Sequence, residues 1–174
     1  MLLTFLPDYS IIVNIKREVI AIERTGVDMT NEELLNLAVK VAEDAHKFQV
    51  DKGGNPYINH PRTVADSVEK TEEKIVAYLH DVCEDSEITL KDLQNMGFTF
   101  SIVNSVRLLT KSKDISYEDY LTYIRGDSVA RAVKIADLKH NMDISRIPEP
   151  TEKDYKRIEK YKKALAFLEE GILG

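Results

Sequence analysis

From Thr30 onward, apolar residues recur at three- and four-residue spacing, the period of helices with one buried face. Thr30 followed by Glu33 is a capping box that predicts a helix of about twenty residues, its buried face running Leu34, Ala38, Val41, Ala42, Ala45 and Phe48. The turn cluster Asp51-Lys52-Gly53-Gly54-Asn55-Pro56 stops it. A second helix is expected to start at Pro61, and a third to cover Glu72 to Asp85 with Ile75, Val76, Leu79 and Cys83 toward the core. Thr89 with Asp92 caps a short helix ended by Gly97, and another covers Ser101 to about Thr110. Ser116 with Asp119 caps Tyr117 to Ile124, which Gly126 closes. Asp127 or Ser128 opens a helix to about Ile144, and Glu152 to Glu170 makes the last. Strand signals are confined to the first fifteen residues, at Ile11, Ile12 and Val13. The expectation is a single all-α domain, a compact multi-helix bundle over residues 29–174. Residues 1–28 are read as an extension, either dispensable or packed on the core.

Charge narrows the function classes. Lys and Arg number 24 against 30 Asp and Glu, a formal net charge of −6, so affinity for nucleic acid through a strongly basic surface is not expected. No apolar run approaches the roughly 20 residues that span a bilayer, and no membrane partner is expected. The first residues begin apolar but lack a basic run and are broken by Pro7 and Asp8, which makes a poor signal peptide. The single cysteine, Cys83, excludes an intramolecular disulfide or a Cys-rich zinc module, and the expected setting is cytoplasmic.

Three positions carry candidate chemistry. Within Leu79–Asp85, His80 and Glu84 would lie one helical turn apart, and so would Asp81 and Asp85. Three carboxylates within five residues repel one another unless a cation or a partner helix compensates, and they stand at the unfavourable negative end of a helix dipole. Asp137 falls within the apolar stripe Val129, Ala132, Val133, Ala136 and His140, where a carboxylate must be paired or metal-bound. Taken alone, a salt bridge to Arg131 or Lys134 of its own helix accounts for it. Asn59-His60-Pro61 sits where a turn feeds a helix, so its imidazole is aimed by a proline-fixed backbone. Two imidazoles with two carboxylates make a mixed nitrogen and oxygen ligand set suited to Mn²⁺, Fe²⁺ or Zn²⁺. Glu84 and Asp85 stand next to it as groups able to orient or deprotonate water.

Four ordered motifs run through this region: A-H-K-F-Q-V-D-K-G-G-N-P-Y-I-N-H-P-R-T-V-A from Ala45, L-H-D-V-C-E-D-S from Leu79, L-L-T-K from Leu108 and K-I-A-D-L-K-H-N-M from Lys134. Together they resemble the hydrolase domain of RelA/SpoT proteins, within the HD-domain metal-dependent phosphohydrolases, from about Asn31 to Leu168. With no synthetase domain following, the resemblance is to a stand-alone small alarmone hydrolase. It implies an HD-domain bundle and removal of the 3′-pyrophosphate from ppGpp or pppGpp. It implies His60, His80, Asp81 and Asp137 as ligands of Mn²⁺, and Glu84 and Asp85 as the pair that activates water. It also implies Lys52 and Lys111 near the phosphates, Asn141 on the nucleotide and His46 behind the ligands or simply packed.

The chain departs from the family at Asp51, five residues after His46, where an Arg that packs on the guanine base is common. An Asp51→Arg change is therefore expected to favour guanosine substrates. The departure also keeps open an HD phosphohydrolase acting on an adenosine alarmone or another nucleoside phosphate; a non-catalytic nucleotide-sensing module is a further alternative. A multiply charged nucleotide on a net acidic protein requires a local basic rim, for which the candidates are Lys47, Lys52, Arg62, Lys111, Lys113 and Lys139.

Overall fold

Side-chain caps set most of the helix starts. The Thr30 hydroxyl accepts from the Glu33 N–H at 3.3 Å while the Glu33 carboxylate accepts from the Thr30 N–H at 2.8 Å. The same reciprocal pair joins Thr89 to Asp92, and Ser116 accepts from the Asp119 N–H. The Asp127 carboxylate accepts from the N–H groups of Val129 and Ala130. Each cap satisfies donors that a bare helix end leaves open, typically contributing about 1 kcal/mol.

The computed structural model describes residues 29–170. Residues 1–28, with the strand signal at Ile11 to Val13, and residues 171–174 lie outside the described residues. The helices are α1 (Asn31–Ala45), α2 (Asn59–Asp66), α3 (Thr71–Leu79), α4 (Val82–Asp85), α5 (Leu90–Asn95), α6 (Phe100–Leu109), α7 (Tyr117–Arg125), α8 (Ser128–Asn141) and α9 (Glu152–Glu169). A 3₁₀ turn at Ile144–Arg146 joins α8 toward α9. Among the described residues the only β-pairing is an isolated bridge between Val50 and Pro56. The all-α expectation holds.

The core is built around α3, which packs against α1, α2, α6 and α8. Ile75, Val76 and Leu79 of α3 are fully buried with Val41, Val64, Leu93, Met96, Ile124, Leu138 and Leu168. Each large aliphatic side chain taken from water contributes about 1.5–3 kcal/mol. No helix of the described residues is long and apolar enough to cross a membrane.

The structure differs from the sequence expectation in three places. First, α1 stops at Ala45 and Phe48 is 85% exposed, outside the buried face it was expected to extend. His46 takes the buried place instead, its Nδ1 2.8 Å from Gln49 Oε1 as the chain turns. Second, α2 begins at Asn59, which puts Pro61 third in the helix, still among the first-turn residues whose N–H has no helical acceptor. Third, the helix expected over Glu72 to Asp85 breaks at His80-Asp81. The Ala77 carbonyl, which the backbone of residue 81 would take in an unbroken helix, accepts from His80 Nδ1 at 2.7 Å. The Tyr57 hydroxyl meanwhile donates to Asp81 Oδ2 at 2.6 Å. After the break Val82, not Cys83, is fully buried.

Two glycines serve this framework. Gly97 adopts φ +90° to end α5, a left-handed conformation that glycine alone takes without strain. Gly53 packs so closely on the 3₁₀ turn that a Cβ there would meet the Arg146 carbonyl oxygen at 2.6 Å. Gly53→Ala is expected to lower stability by about 1–3 kcal/mol, the usual cost of overpacking against backbone. A thermal melt checks this, and an unchanged Tm would mean that the loop moves aside freely.

Candidate functional site

The N-terminus of α2, the α3–α4 junction and the C-terminal half of α8 bring His60, His80 and Asp137 together in the interior, 3%, 3% and 4% exposed. One ligand atom from each lies within 4.8 Å of the others, a cluster that could hold a metal ion. The two Nε2 atoms are 3.3 Å apart. Asp137 Oδ1 is 3.2 Å from His60 Nε2 and 3.8 Å from His80 Nε2, while Asp81 Oδ2 is 3.5 Å and 3.1 Å from the same atoms.

The partners of each group fix its orientation. Asp137 divides its two oxygens between the readings weighed from the sequence. Oδ2 pairs with Lys134 at 2.8 Å, the salt bridge of its own helix, and Oδ1 faces the histidines and accepts from Asn141 Nδ2 at 2.5 Å. Arg131 goes elsewhere, donating to the carbonyls of Leu168 and Glu170. His80 Nδ1 is committed to the Ala77 carbonyl, which leaves Nε2 for the centre. Burial opposes a charge on His80, but the carboxylates of Asp81 and Asp137 overcome it and push its pKa up to about 10. His60 is raised by the same two carboxylates against the same burial. Burial likewise opposes ionisation of Asp81 and Asp137, yet His80 at Asp81 and Lys134 at Asp137, with both histidines, hold each carboxyl well below the usual range.

This donor set fits a divalent cation. Two imidazole nitrogens and the Asp137 carboxylate converge, Asp81 flanks the same two nitrogens from outside that group of three, and the two carboxylates favour the protonated form of both histidines. The same negative field and lone pairs would bind a metal, with nitrogen and oxygen donors suited to a borderline ion.

The cluster forms part of the wall of a cavity of about 490 Å³. Glu84 and Asp85 of α4 line it too, exposed to the cavity rather than packed away. Partial loss of water at the wall, then the charge of Asp81, holds both carboxyls above the usual range. Lys111 also lines the cavity, but its Nζ donates to the carbonyls of Ser112 and Ile115, and its backbone meets Glu84. Lys52 lines the cavity with its Nζ on Asp154 Oδ1 at 2.5 Å, and Asn141 lines it while holding Asp137.

Of the six rim cations named from the sequence, Lys52 and Lys111 reach the cavity and Lys47, Arg62, Lys113 and Lys139 do not. Arg62 pairs with Glu43 and Lys139 with Glu169. The rest of the basic wall is Lys134, Arg146, Arg157 and Lys160, interleaved with Tyr117, Tyr120 and Tyr161. Sequence reasoning missed these residues as cavity groups. Arg157, Lys160 and Tyr161 sit in a charged helix, and only the three- and four-residue steps from Asp154 to Arg157 to Tyr161 hint at a shared face. His46 stays outside the ligand cluster; burial lowers its pKa, so it packs as a neutral ring against Tyr57.

Asp51 has a role that the sequence did not suggest. Its Oδ1 accepts from the N–H groups of Gly53 and Asn55, and its Oδ2 pairs with Arg146 at 3.0 Å. A guanidinium thus does reach this part of the wall, from the 3₁₀ turn rather than from position 51. Asp51→Arg would set two cations against each other, so the gain expected for guanosine substrates does not follow from this geometry.

No protein-family model matches the chain. It is 32% identical over 123 residues to the bifunctional (p)ppGpp synthase/hydrolase SpoT of Escherichia coli strain K12, covering 62% of this chain and 17% of SpoT. It is 34% identical over 116 residues to the guanosine-3′,5′-bis(diphosphate) 3′-pyrophosphohydrolase of Haemophilus influenzae, covering 59% of this chain and 17% of that enzyme. The chain therefore spans about one sixth of the length of these curated relatives. Among solved structures it superposes on a metazoan ortholog of SpoT that hydrolyzes ppGpp, with TM-score 0.64 and 20% identity, covering 79% of this chain and 86% of the other. That likeness establishes the fold, the all-α HD-domain bundle.

Proposed function

We propose that this chain is a metal-dependent hydrolase that removes the 3′-pyrophosphate of the guanosine alarmones ppGpp and pppGpp, an activity carried by the unit over residues 29–174. In this reading His60, His80, Asp81 and Asp137 hold Mn²⁺, and Glu84 or Asp85 takes the proton of the attacking water. The observation that carries it is the convergence of two imidazole nitrogens 3.3 Å apart with the Asp137 carboxylate, flanked by Asp81 and beside two carboxyls of raised pKa in one cavity. The relatives in sequence and in fold, which are SpoT proteins and ppGpp pyrophosphohydrolases by name, support the substrate class.

A divalent cation would supply Lewis acidity toward a phosphoryl oxygen and toward water. The chain's own residues do the rest. A carboxyl whose pKa lies above its ordinary value is a stronger base once ionised, and Glu84 and Asp85 are open to the cavity where water enters. Lys160 lines the cavity beside Lys134, Arg146 and Arg157, which pair with Asp137, Asp51 and Asp154, and these cations are the groups able to meet a multiply charged nucleotide on a net acidic protein. Tyr117, Tyr120 and Tyr161 add apolar ring surface to the same wall. Water adds at phosphorus, the bond to the ribose 3′-oxygen breaks, and the products are GDP or GTP with pyrophosphate.

The deciding experiment is pyrophosphate release from ppGpp with Mn²⁺ added or chelated, beside the adenosine analogue and ordinary nucleoside phosphates. Release that requires the metal and favours ppGpp is expected. Turnover of another nucleotide alone would replace the guanosine assignment, and metal binding with no turnover of any substrate would overturn the hydrolase reading.

A further inference from the structure

His140 belongs to no role described so far, yet it makes a short polar contact at the centre. Its Nδ1 lies 2.6 Å from Nδ1 of His60. The two ring planes differ by 13° and their centres are 4.9 Å apart, which is the nitrogen–nitrogen distance plus one ring radius on either side. The rings therefore meet edge to edge in nearly one plane, the geometry of an N–H···N hydrogen bond rather than of face-to-face stacking.

Only one proton fits between the two nitrogens, and the residues around them decide which ring carries it. Arg146 Nη1 stands 3.2 Å from the same His140 Nδ1, and Arg146 is itself held by Asp51 at 3.0 Å. A guanidinium donates and never accepts. A proton on His140 Nδ1 would point at His60 and leave Arg146 Nη1 facing an N–H, whereas a lone pair there meets both donors, so His60 Nδ1 carries the hydrogen.

We propose that His140 is a positioning residue: by accepting the Nδ1–H of His60 it holds the Nε2 of that ring toward Asp81 and Asp137. The inference rests on the reading of His60 as a metal ligand. The two ligand histidines are then steered alike, His80 by the Ala77 carbonyl and His60 by a neighbouring imidazole. Partners of this kind set the tautomer and ring orientation of metal-ligating histidines, and their loss typically weakens metal affinity by 10–100-fold. Asp51 and Arg146 reach the centre through this contact, which gives the carboxylate at position 51 a function without any contact to substrate.

The test uses the full chain, titrated with Mn²⁺ alone by calorimetry. His140→Ala is expected to bind Mn²⁺ roughly 10–100-fold more weakly while melting as a cooperative unit in the metal-free state. His140→Asn, whose side-chain oxygen falls near the place of Nδ1, is expected to recover part of that loss, which a merely space-filling role would not produce. In ¹⁵N-labelled metal-free protein a nitrogen–nitrogen coupling across the bond is expected, with the proton on His60 Nδ1. This holds whether His60 is neutral or charged. Unchanged Mn²⁺ affinity in His140→Ala, or the proton found on His140 Nδ1, would overturn the proposal. Wild-type protein that takes up no Mn²⁺ would instead overturn the metal reading, and the coupling would still decide the role of His140.

Discussion

Asp81→Asn should lose Mn²⁺ and, with it, activity on ppGpp by a factor on the order of 10³ or more, while the helical fold survives. Asp81 Oδ2 stands 3.1 Å and 3.5 Å from the two imidazole Nε2 atoms, so the substitution removes a full negative charge from the point where the donors meet. Several kcal/mol of transition-state stabilisation are at stake in such a centre, and each 1.36 kcal/mol is tenfold in rate. The fold is expected to persist because the amide oxygen can still accept from the Tyr57 hydroxyl, which reaches Asp81 at 2.6 Å. Some stability should nevertheless go. The folded-state pKa of Asp81 is depressed, so its carboxylate contributes stability above the ordinary carboxylate range that is lost as pH falls through the folded value. The neutral variant lacks that contribution at pH 7. Asp137→Asn would be a poorer probe, since it would leave the half-buried Lys134 without its anion as well. Metal content and calorimetry, read beside circular dichroism, check the prediction. Stoichiometric Mn²⁺ in Asp81→Asn would remove Asp81 from the ligand set.

The candidate cluster of His60, His80 and Asp137 was legible because its members break the local pattern. Asp137 sits inside an apolar stripe and His80 borders one, but a salt bridge within its own helix accounts for Asp137 taken alone, and only the four motifs read together joined it to His60 and His80. The caps at Thr30, Thr89, Ser116 and Asp127 were legible for a similar reason, since hydroxyl and carboxylate pairs at three-residue spacing have few other uses. What the sequence hid depends on contacts distant along the chain. The break at His80-Asp81 coincides with a bond from Tyr57, 24 residues away, and the sequence from α3 to α4 reads as one unbroken helix. The basic wall depends on which face of α9 turns inward. Its run of Lys, Arg and Glu looks like a solvated surface until Asp154 is tied to Lys52, 102 residues away. The Asp51–Arg146 pair spans 95 residues, and no local rule joins its ends.

Glu84→Gln separates binding from chemistry, because Glu84 lines the cavity without belonging to the cluster of His60, His80 and Asp137. The variant should keep its Mn²⁺ and lose roughly 10²–10⁴-fold in kcat, the range for a missing general acid or base. The pH dependence has a defined sign. Partial burial and then the Asp81 charge raise the Glu84 pKa, so its basic form is lost as pH falls through a value above that of an ordinary glutamate. The acid limb of kcat in the wild type should lie at that raised pKa and be absent or displaced in Glu84→Gln. Stability should respond in the opposite sense. A raised folded-state pKa means the protonated carboxyl is the favoured form, and its contribution, full below the unfolded pKa, is lost as pH rises through the folded one. At neutral pH ionised Glu84 is therefore a cost to the fold, and the neutral amide should melt no lower than the wild type. A group that weakens the fold in the charge state its reaction needs is the pattern expected of a site selected for activity rather than for stability. Unchanged kcat would take Glu84 out of the mechanism and leave Asp85 as the base. A lower Tm with unchanged kcat would mark Glu84 as a structural residue.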